Sequence, residues 1–81
     1  MTLEEFVENF AMQFEETDES LITAKTKFHD LDEWSSIIIL AVIAMANIDY
    51  DVTLTGDDFK KAVTVRDLYK IVKKRQEEND N

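Results

Sequence analysis

Two adjacent serines, Ser35 and Ser36, separate an irregular segment from an uninterrupted apolar run over residues 37–46. Serine is a preferred N-cap residue, so a helix is predicted to begin here. A helix N-terminus presents unpaired N–H groups and partial positive charge, which stabilise a phosphate esterified to a serine at that position. If Ser35 supplies the capping oxygen, the hydroxyl of Ser36 is left free. A phosphate esterified to Ser36 would therefore be stabilised at this position.

Two other interpretations of the serines stay open from the residues alone. Both serines can simply cap the helix. A hydrolase would need a base for Ser36, and the single histidine of the chain, His29, lies in the irregular segment. Neither an oxyanion-hole motif nor a third member of a triad accompanies this pair, so catalysis is not expected.

No dedicated metal site is predicted. The chain has no cysteine and one histidine, which disfavours zinc. The acidic stretch that begins at Asp49 resembles a calcium loop, but Leu54 stands where glycine is needed and Lys60 where a bidentate glutamate is needed. Weak divalent-cation binding would still relieve repulsion among four carboxylates there: Asp49, Asp51, Asp57 and Asp58.

The elements that must position Ser36 are predicted to be helical. Thr2 with Glu5 forms a capping box, and apolar residues then recur at helical spacing. The segment from 17 to 35 has no period, but its apolar residues predict an ordered loop pinned to the core. The chain is predicted to be one all-α domain with an ordered core over about 3–76, a polar tail over 77–81, and helices near 3–16, 36–50, 56–61 and 64–76.

The second predicted helix carries apolar residues on roughly opposite sides, and a small protein cannot bury both. One set comprises Ile39, Val42, Ile43, Ala46 and Tyr50. The other comprises Ile37, Ala41, Ala44 and Ile48. One of the two is expected to meet a partner or a ligand.

The composition limits the partners. Eighteen acidic residues against nine basic ones give a net charge of −9, which disfavours nucleic acid and favours a partner with a basic face. The ten-residue apolar run is too short to cross a bilayer. Residues 1–8 include no basic residue, unlike a targeting segment, so a cytoplasmic protein is expected.

These features together resemble the acyl carrier protein family, including its peptidyl carrier relatives, whose signature is an Asp-Ser-Leu motif at the start of the second helix. The resemblance covers about residues 3–75. By position, Ser36 is the serine that carries 4'-phosphopantetheine in the family, Ser35 replaces the motif Asp, and Ile37 replaces the Leu. Further similar positions are Phe28, Asp30, Leu31, Trp34, Val52, Leu54, Thr64 and Val65.

The resemblance implies a four-helix carrier with a long first loop and a short third helix. Such a protein is not an enzyme. It holds acyl or aminoacyl intermediates as thioesters on its arm, in fatty acid, polyketide or related specialised biosynthesis. Its partners would be a phosphopantetheinyl transferase and the enzymes that load and process the acyl group, and a monomer is expected. The alternative is a non-catalytic interaction module that has a carrier fold and lacks the arm.

The resemblance also places partner docking on the second helix. The family typically carries Glu on this face, whereas the matching positions here are apolar: Ile37, Ala41, Ala44 and Ile48. The hypothesis is that hydrophobic contact with a dedicated partner replaces part of the usual electrostatic docking. The competing hypothesis is that these residues line a cavity for a bound acyl chain.

Overall fold

The computed structural model describes residues 1–79, and over this range the protein is all-α, as predicted. Two 3₁₀ turns, Glu19–Leu21 and Phe28–Asp30, interrupt the long loop between the first two helices. The four helices of the described range are α1 (Leu3–Ala11), α2 (Ser36–Tyr50), α3 (Gly56–Lys61) and α4 (Val65–Asn79). None of them combines the length and the apolar character that crossing a bilayer requires.

Helix α1 begins at the predicted capping box but ends earlier than predicted. The Thr2 hydroxyl accepts a hydrogen bond from the Glu5 N–H, and the Glu5 carboxylate accepts one from the Thr2 N–H. The predicted end near residue 16 is wrong, because the helix stops at Ala11. The N–H groups of residues 15–17 donate to the side chain of Glu33 instead of to helical carbonyls. A carboxylate distant in sequence thus competes with the helix for its donors.

Helix α2 has the predicted bounds and ends at a left-handed residue. Asp51 adopts φ 55° and ψ 40°. Its N–H donates to the Asn47 carbonyl, and the Val52 N–H donates to the Ala46 carbonyl. The bond from the left-handed Asp51 to Asn47 is the one that defines the αL motif at a helix C-terminus. Val52 and Leu54, in the segment that connects α2 to α3, are both buried.

Helix α4 starts one residue later than predicted and runs past the predicted end near 76 to Asn79. The Asp67 carboxylate caps its start by accepting from the N–H groups of Val63 and Thr64. Two N–H groups of the first turn of α4 donate to carbonyls of the long loop, at Ala24 and Thr26. The middle of the loop is therefore fixed to α4. Residues 80 and 81 of the predicted tail lie outside the described residues.

The core is shared by all four helices and the loop. Helix α4 packs against α1, α2 and α3. Ile22 and Phe28 of the loop are buried in the same cluster as the helical residues. The largest fully buried side chains are Phe6, Phe10, Phe28, Val42, Val52, Val65, Leu68 and Val72.

One buried charge joins α3 to α4. Asp58 is only 3% exposed. Its carboxylate accepts two hydrogen bonds from the Arg75 guanidinium, at 2.5 and 2.6 Å, and two more from the N–H and hydroxyl of Thr55. Asp58 is therefore not free for the weak cation binding considered above. Within residues 1–79, no group of three or more His, Cys, Asp or Glu side chains is arranged to hold a metal ion.

We expect Arg75→Met to lower the free energy of unfolding by about 2 to 3 kcal/mol, because it leaves the Asp58 carboxylate buried without its cation. The matched control is Lys74→Met, which removes an exposed cation from the same helix and should change stability by less than about 0.5 kcal/mol. Urea denaturation followed by circular dichroism measures both. Equal effects of the two substitutions would contradict a structural role for the ion pair.

The same pair predicts a pH dependence. Hydrogen bonds from Arg75 outweigh the desolvation of Asp58 and hold the pKa of its carboxyl below the ordinary value. A lowered folded-state pKa contributes stability above the unfolded-state pKa of about 3.9 and loses it as the pH falls through the folded-state value. The stability difference between wild type and Arg75→Met should therefore shrink as the pH falls from about 5 to 2. A constant difference would contradict this assignment.

Candidate attachment site at the start of the second helix

The two serines have different roles in the structure. Ser35 is the N-cap of α2, with an extended backbone and a side-chain oxygen that accepts a long hydrogen bond from the Ile38 N–H, at 3.5 Å. Its carbonyl accepts the Ile39 N–H at 3.0 Å. Ser36 is the first residue of the helix and is exposed, and its hydroxyl bonds to none of the described residues. Of the two serines that could cap the helix, Ser35 does so, and the hydroxyl of Ser36 is accessible for reaction.

The first turn of α2 also offers unused donors. The backbone N–H groups of Ser36 and Ile37 bond to no acceptor within residues 1–79. The helix is fifteen residues long and has no acidic residue in its first turn to neutralise the positive end of its dipole. A phosphate ester at Ser36 would be stabilised by this field, typically by about 0.3 to 1 kcal/mol.

Trp34 anchors the start of α2 from the residue next to the cap. Its half-buried ring lies 4.7 Å from that of Phe28 and 5.9 Å from that of Phe59, measured between ring centroids. We call the group of rings around it the Trp34 cluster, which comprises Trp34, Phe10, Phe14, Phe28, His29 and Phe59. The cluster joins α1, the long loop and α3, and aromatic pairs of this kind typically contribute about 0.5 to 1.5 kcal/mol each beyond burial.

Glu33, next to Trp34, connects the end of the long loop to its beginning. Its carboxylate accepts hydrogen bonds from the N–H groups of residues 15–17, at 2.7 to 3.0 Å, and from the Thr17 hydroxyl at 2.7 Å. Desolvation acts to raise the pKa of this carboxyl, but the hydrogen bonds from Thr17 and from the backbone outweigh it and lower the pKa. The segment after α1 is thereby tied to a residue two positions before the N-cap of α2.

His29 is engaged away from Ser36. Its Nε2 atom lies 2.8 Å from the Phe59 carbonyl oxygen, and because a carbonyl only accepts, this nitrogen carries the proton and donates. The ring also packs on Phe28, with centroids 4.5 Å apart. Among the described residues no hydrogen bond joins His29 to Ser36, so the pair that a hydrolase would need is not formed.

The outward face of α2 differs in part from the predicted docking face. Ile37 and Ile48 are 75% and 79% exposed, and Ala44 is exposed too. Ala41, which was also expected on the exposed face, is half-buried, so that expectation holds only in part. Leu40, which is 66% exposed, was not among the predicted residues, although it lies three residues after Ile37 and four before Ala44.

The buried face of α2 also differs in part from the predicted one. Val42, Ala46 and Tyr50 are buried, as expected of one of the two predicted stripes. Ile39 and Ile43 of that stripe are only partly buried, whereas Ile38 and Met45 lie in the core. The signal for Ile38 is its position four residues before Val42 on the same helical face.

A groove lies at the start of α2, lined by both sequence neighbours of Ser36, Ser35 and Ile37. One wall is apolar, formed by Ile37, Ile38 and Ala41, and the other is mainly acidic, including Glu15 and Glu16. The groove encloses about 490 Å³. It is open to solvent, and Ser35 is among the residues that line it.

We expect Glu33→Gln to loosen the segment that follows α1, because a carboxamide oxygen replaces a carboxylate that accepts four hydrogen bonds. Amide hydrogen exchange at residues 15–17 should become roughly tenfold faster. Asp32→Asn is the matched control, because the neighbouring Asp32 is exposed and its side chain bonds to no described residue. The same acceleration in both variants would show that charge alone, rather than this set of hydrogen bonds, protects the segment.

The site thus combines an exposed serine hydroxyl, two free helix N–H groups and a neighbouring groove with one acidic wall. Comparison with protein-family models, with curated proteins and with solved structures finds no match to this chain.

Proposed function

We propose that the protein is an acyl carrier. It holds acyl or aminoacyl intermediates on a 4'-phosphopantetheine arm attached to Ser36, in fatty acid, polyketide or related specialised biosynthesis, and acts as a monomer in the cytoplasm. The observation that carries the proposal is the division of roles between the serines: Ser35 caps α2, while the Ser36 hydroxyl is exposed and has no partner in the described residues.

The residues around Ser36 suit a phosphodiester. The free N–H groups of Ser36 and Ile37 are donors for phosphate oxygens, and the positive end of the α2 dipole favours the added negative charge. The order of elements supports the proposal as well, because a helix, a long anchored loop, a second helix, a short third helix and a fourth helix follow one another as in the carrier family.

The chain's own part is to present a nucleophile and then to display the cargo. In the loading reaction the Ser36 Oγ forms a bond to the β-phosphorus of coenzyme A, 3',5'-ADP leaves, and the hydroxyl proton passes to a base of the phosphopantetheinyl transferase. Once attached, the arm supplies a terminal thiol that carries the cargo as a thioester. Tethering raises the effective concentration of the cargo at successive loading and processing enzymes, so the carrier needs no catalytic group itself.

A second candidate function is favoured by the exposed apolar residues of α2. A non-catalytic interaction module with the same fold would bind a partner through this face and would not need the arm. Ser36→Ala separates the two functions, because it should abolish the activity of a carrier in a reconstituted pathway and leave the binding of a module unchanged.

The proposal is tested by intact mass before and after incubation with coenzyme A, magnesium and a broad-specificity phosphopantetheinyl transferase. The wild type should gain the mass of one phosphopantetheine, and Ser36→Ala should gain nothing. Ser35→Ala is the matched control: it should lose about 1 kcal/mol of stability with its cap but still be modified. A mass gain in Ser36→Ala, or none in the wild type with several transferases, would contradict the proposal.

The departure from the family motif gives a further prediction. In the family the residue before the serine is Asp, whose carboxylate helps the transferase recognise the site. Ser35→Asp should therefore raise the rate of modification. Ser35→Asn is the control that keeps a good N-cap without the charge, and it should leave the rate near that of the wild type. If Asn accelerates the reaction as much as Asp, the carboxylate is not the recognised group.

A further inference from the structure

Two segments that are far apart in the sequence lie side by side and carry only positive charge. One is residues 24–29 of the long loop, and the other is residues 59–66, from the end of α3 to the start of α4. Neither segment contains an acidic residue, although the whole chain has 18. We call their surface the basic face and define it by its five exposed side chains: Lys25, Lys27, Lys60, Lys61 and Arg66.

Backbone contacts hold the two segments together. Lys27 and Thr64 form an antiparallel bridge. The carbonyls on either side of Lys25 accept the first two N–H groups of α4, at 2.9 and 3.1 Å. Farther along, the His29 Nε2 atom donates to the Phe59 carbonyl at 2.8 Å. The fold therefore places the only two lysines of residues 1–58 beside three cations from the last third of the chain.

The chain does not neutralise the basic face with its own acids. Within residues 1–79, none of the five cations takes part in an ion pair. Asp67 follows Arg66, but its carboxylate accepts the N–H groups of Val63 and Thr64 as part of the cap. Lys25 is held beside Arg66, and like charges in such paired positions are locally unfavourable. Arg66 also lies in the first turn of α4, where the helix dipole disfavours a cation. An anionic partner would relieve this imbalance.

The size of the basic face favours a short acidic segment as that partner. Its loop part, from Lys25 to His29, is no longer than about 13 Å, the length of a few extended residues. Val63, which is 51% exposed, lies between Lys61 and Arg66 in the sequence and offers an apolar contact among the charges. A segment with several carboxylates around one apolar side chain matches this combination.

Larger polyanions match the basic face less well. A nucleic acid or an anionic membrane extends beyond it and meets the remaining surface of a chain whose net charge is −9. A second copy of the chain also brings its own net charge of −9 close to the first. A short segment contacts the basic face alone, and carboxylates farther away than about 8 Å are largely screened at physiological ionic strength.

We infer that the basic face binds a short acidic segment of another protein, in which carboxylates flank an apolar residue. The charges orient the segment and speed the encounter, and Val63 contacts its apolar side chain. None of the five cations belongs to α2. The inference therefore goes beyond the carrier function and does not require an arm on Ser36.

The test is an NMR titration of the full, unmodified, isotope-labelled chain at low and at physiological salt. The probe is a synthetic peptide of four Glu residues around one Leu, and the matched probe has Gln in place of Glu. The basic-face variant is Lys25→Gln with Lys61→Gln. The control is Lys73→Gln with Lys74→Gln, which removes two exposed cations of α4 and changes the net charge equally. Circular dichroism verifies that each variant is folded.

We expect the acidic peptide to shift the amide resonances of residues 24–29 and 59–66. The basic-face variant should bind it about fivefold or more weakly at low salt, whereas the control should stay within about twofold of the wild type. Binding should weaken as salt is added, because the attraction is between exposed charges. The Gln peptide should not bind.

Several results would overturn the inference. Equal losses in the two variants would indicate general attraction to any cation of the chain, and so would shifts centred on the end of α4. The absence of binding by the wild type at low salt would exclude the acidic segment. Tighter binding of single-stranded DNA or phosphatidylglycerol vesicles, or a dimer in analytical ultracentrifugation, would assign the face to a different partner if the basic-face variant abolished it.

These outcomes are independent of the mass measurement on Ser36, since the titration uses the unmodified chain. A protein that is not modified but binds the acidic peptide at the basic face contradicts the carrier function alone. A protein that is modified but does not bind the peptide there contradicts the binding inference alone.

Discussion

Trp34 makes the contacts on which the position of the candidate site depends. Trp34 lies one residue before the N-cap of α2. Its ring packs on Phe28 of the loop, on Phe59 of α3 and on Phe10 of α1. Glu33 adds a second anchor by holding the N–H groups after α1. These non-local contacts fix the position of Ser36 at the end of a long loop. Its hydroxyl is exposed, and Ser35 caps the helix.

The helix starts were predictable from sequence, because capping is local chemistry. Thr2 with Glu5, Ser35 before the apolar run, and Thr64 with Asp67 each signal a helix start within four residues, and the structure places helices there. The end of α1 was not predictable, because the competing acceptor, Glu33, lies well beyond the window of a periodicity argument. The ion pair between Asp58 and Arg75 was not predictable either, because its two residues are also far apart in the sequence.

The candidate site was predicted less completely than the fold. The different roles of Ser35 and Ser36 follow from capping preference, and the structure agrees with them. The exposed face of α2 was harder to assign, because every residue over 37–46 is apolar and hydrophobicity alone cannot separate the two sides. Packing makes the distinction: Ile38 and Met45 turn to the core, and Leu40 turns to solvent. Attachment of an arm to Ser36 rests on resemblance and on the geometry of the hydroxyl.

The central claim is that Ser36 carries the arm, and the most direct measurement is made on the protein purified from cells that express it naturally. Fragmentation mass spectrometry of the peptide that contains both serines locates any added group. The account predicts phosphopantetheine on Ser36, with Ser35 unmodified. An unmodified peptide from cells whose other carrier proteins are loaded, or a group located on Ser35, would contradict it.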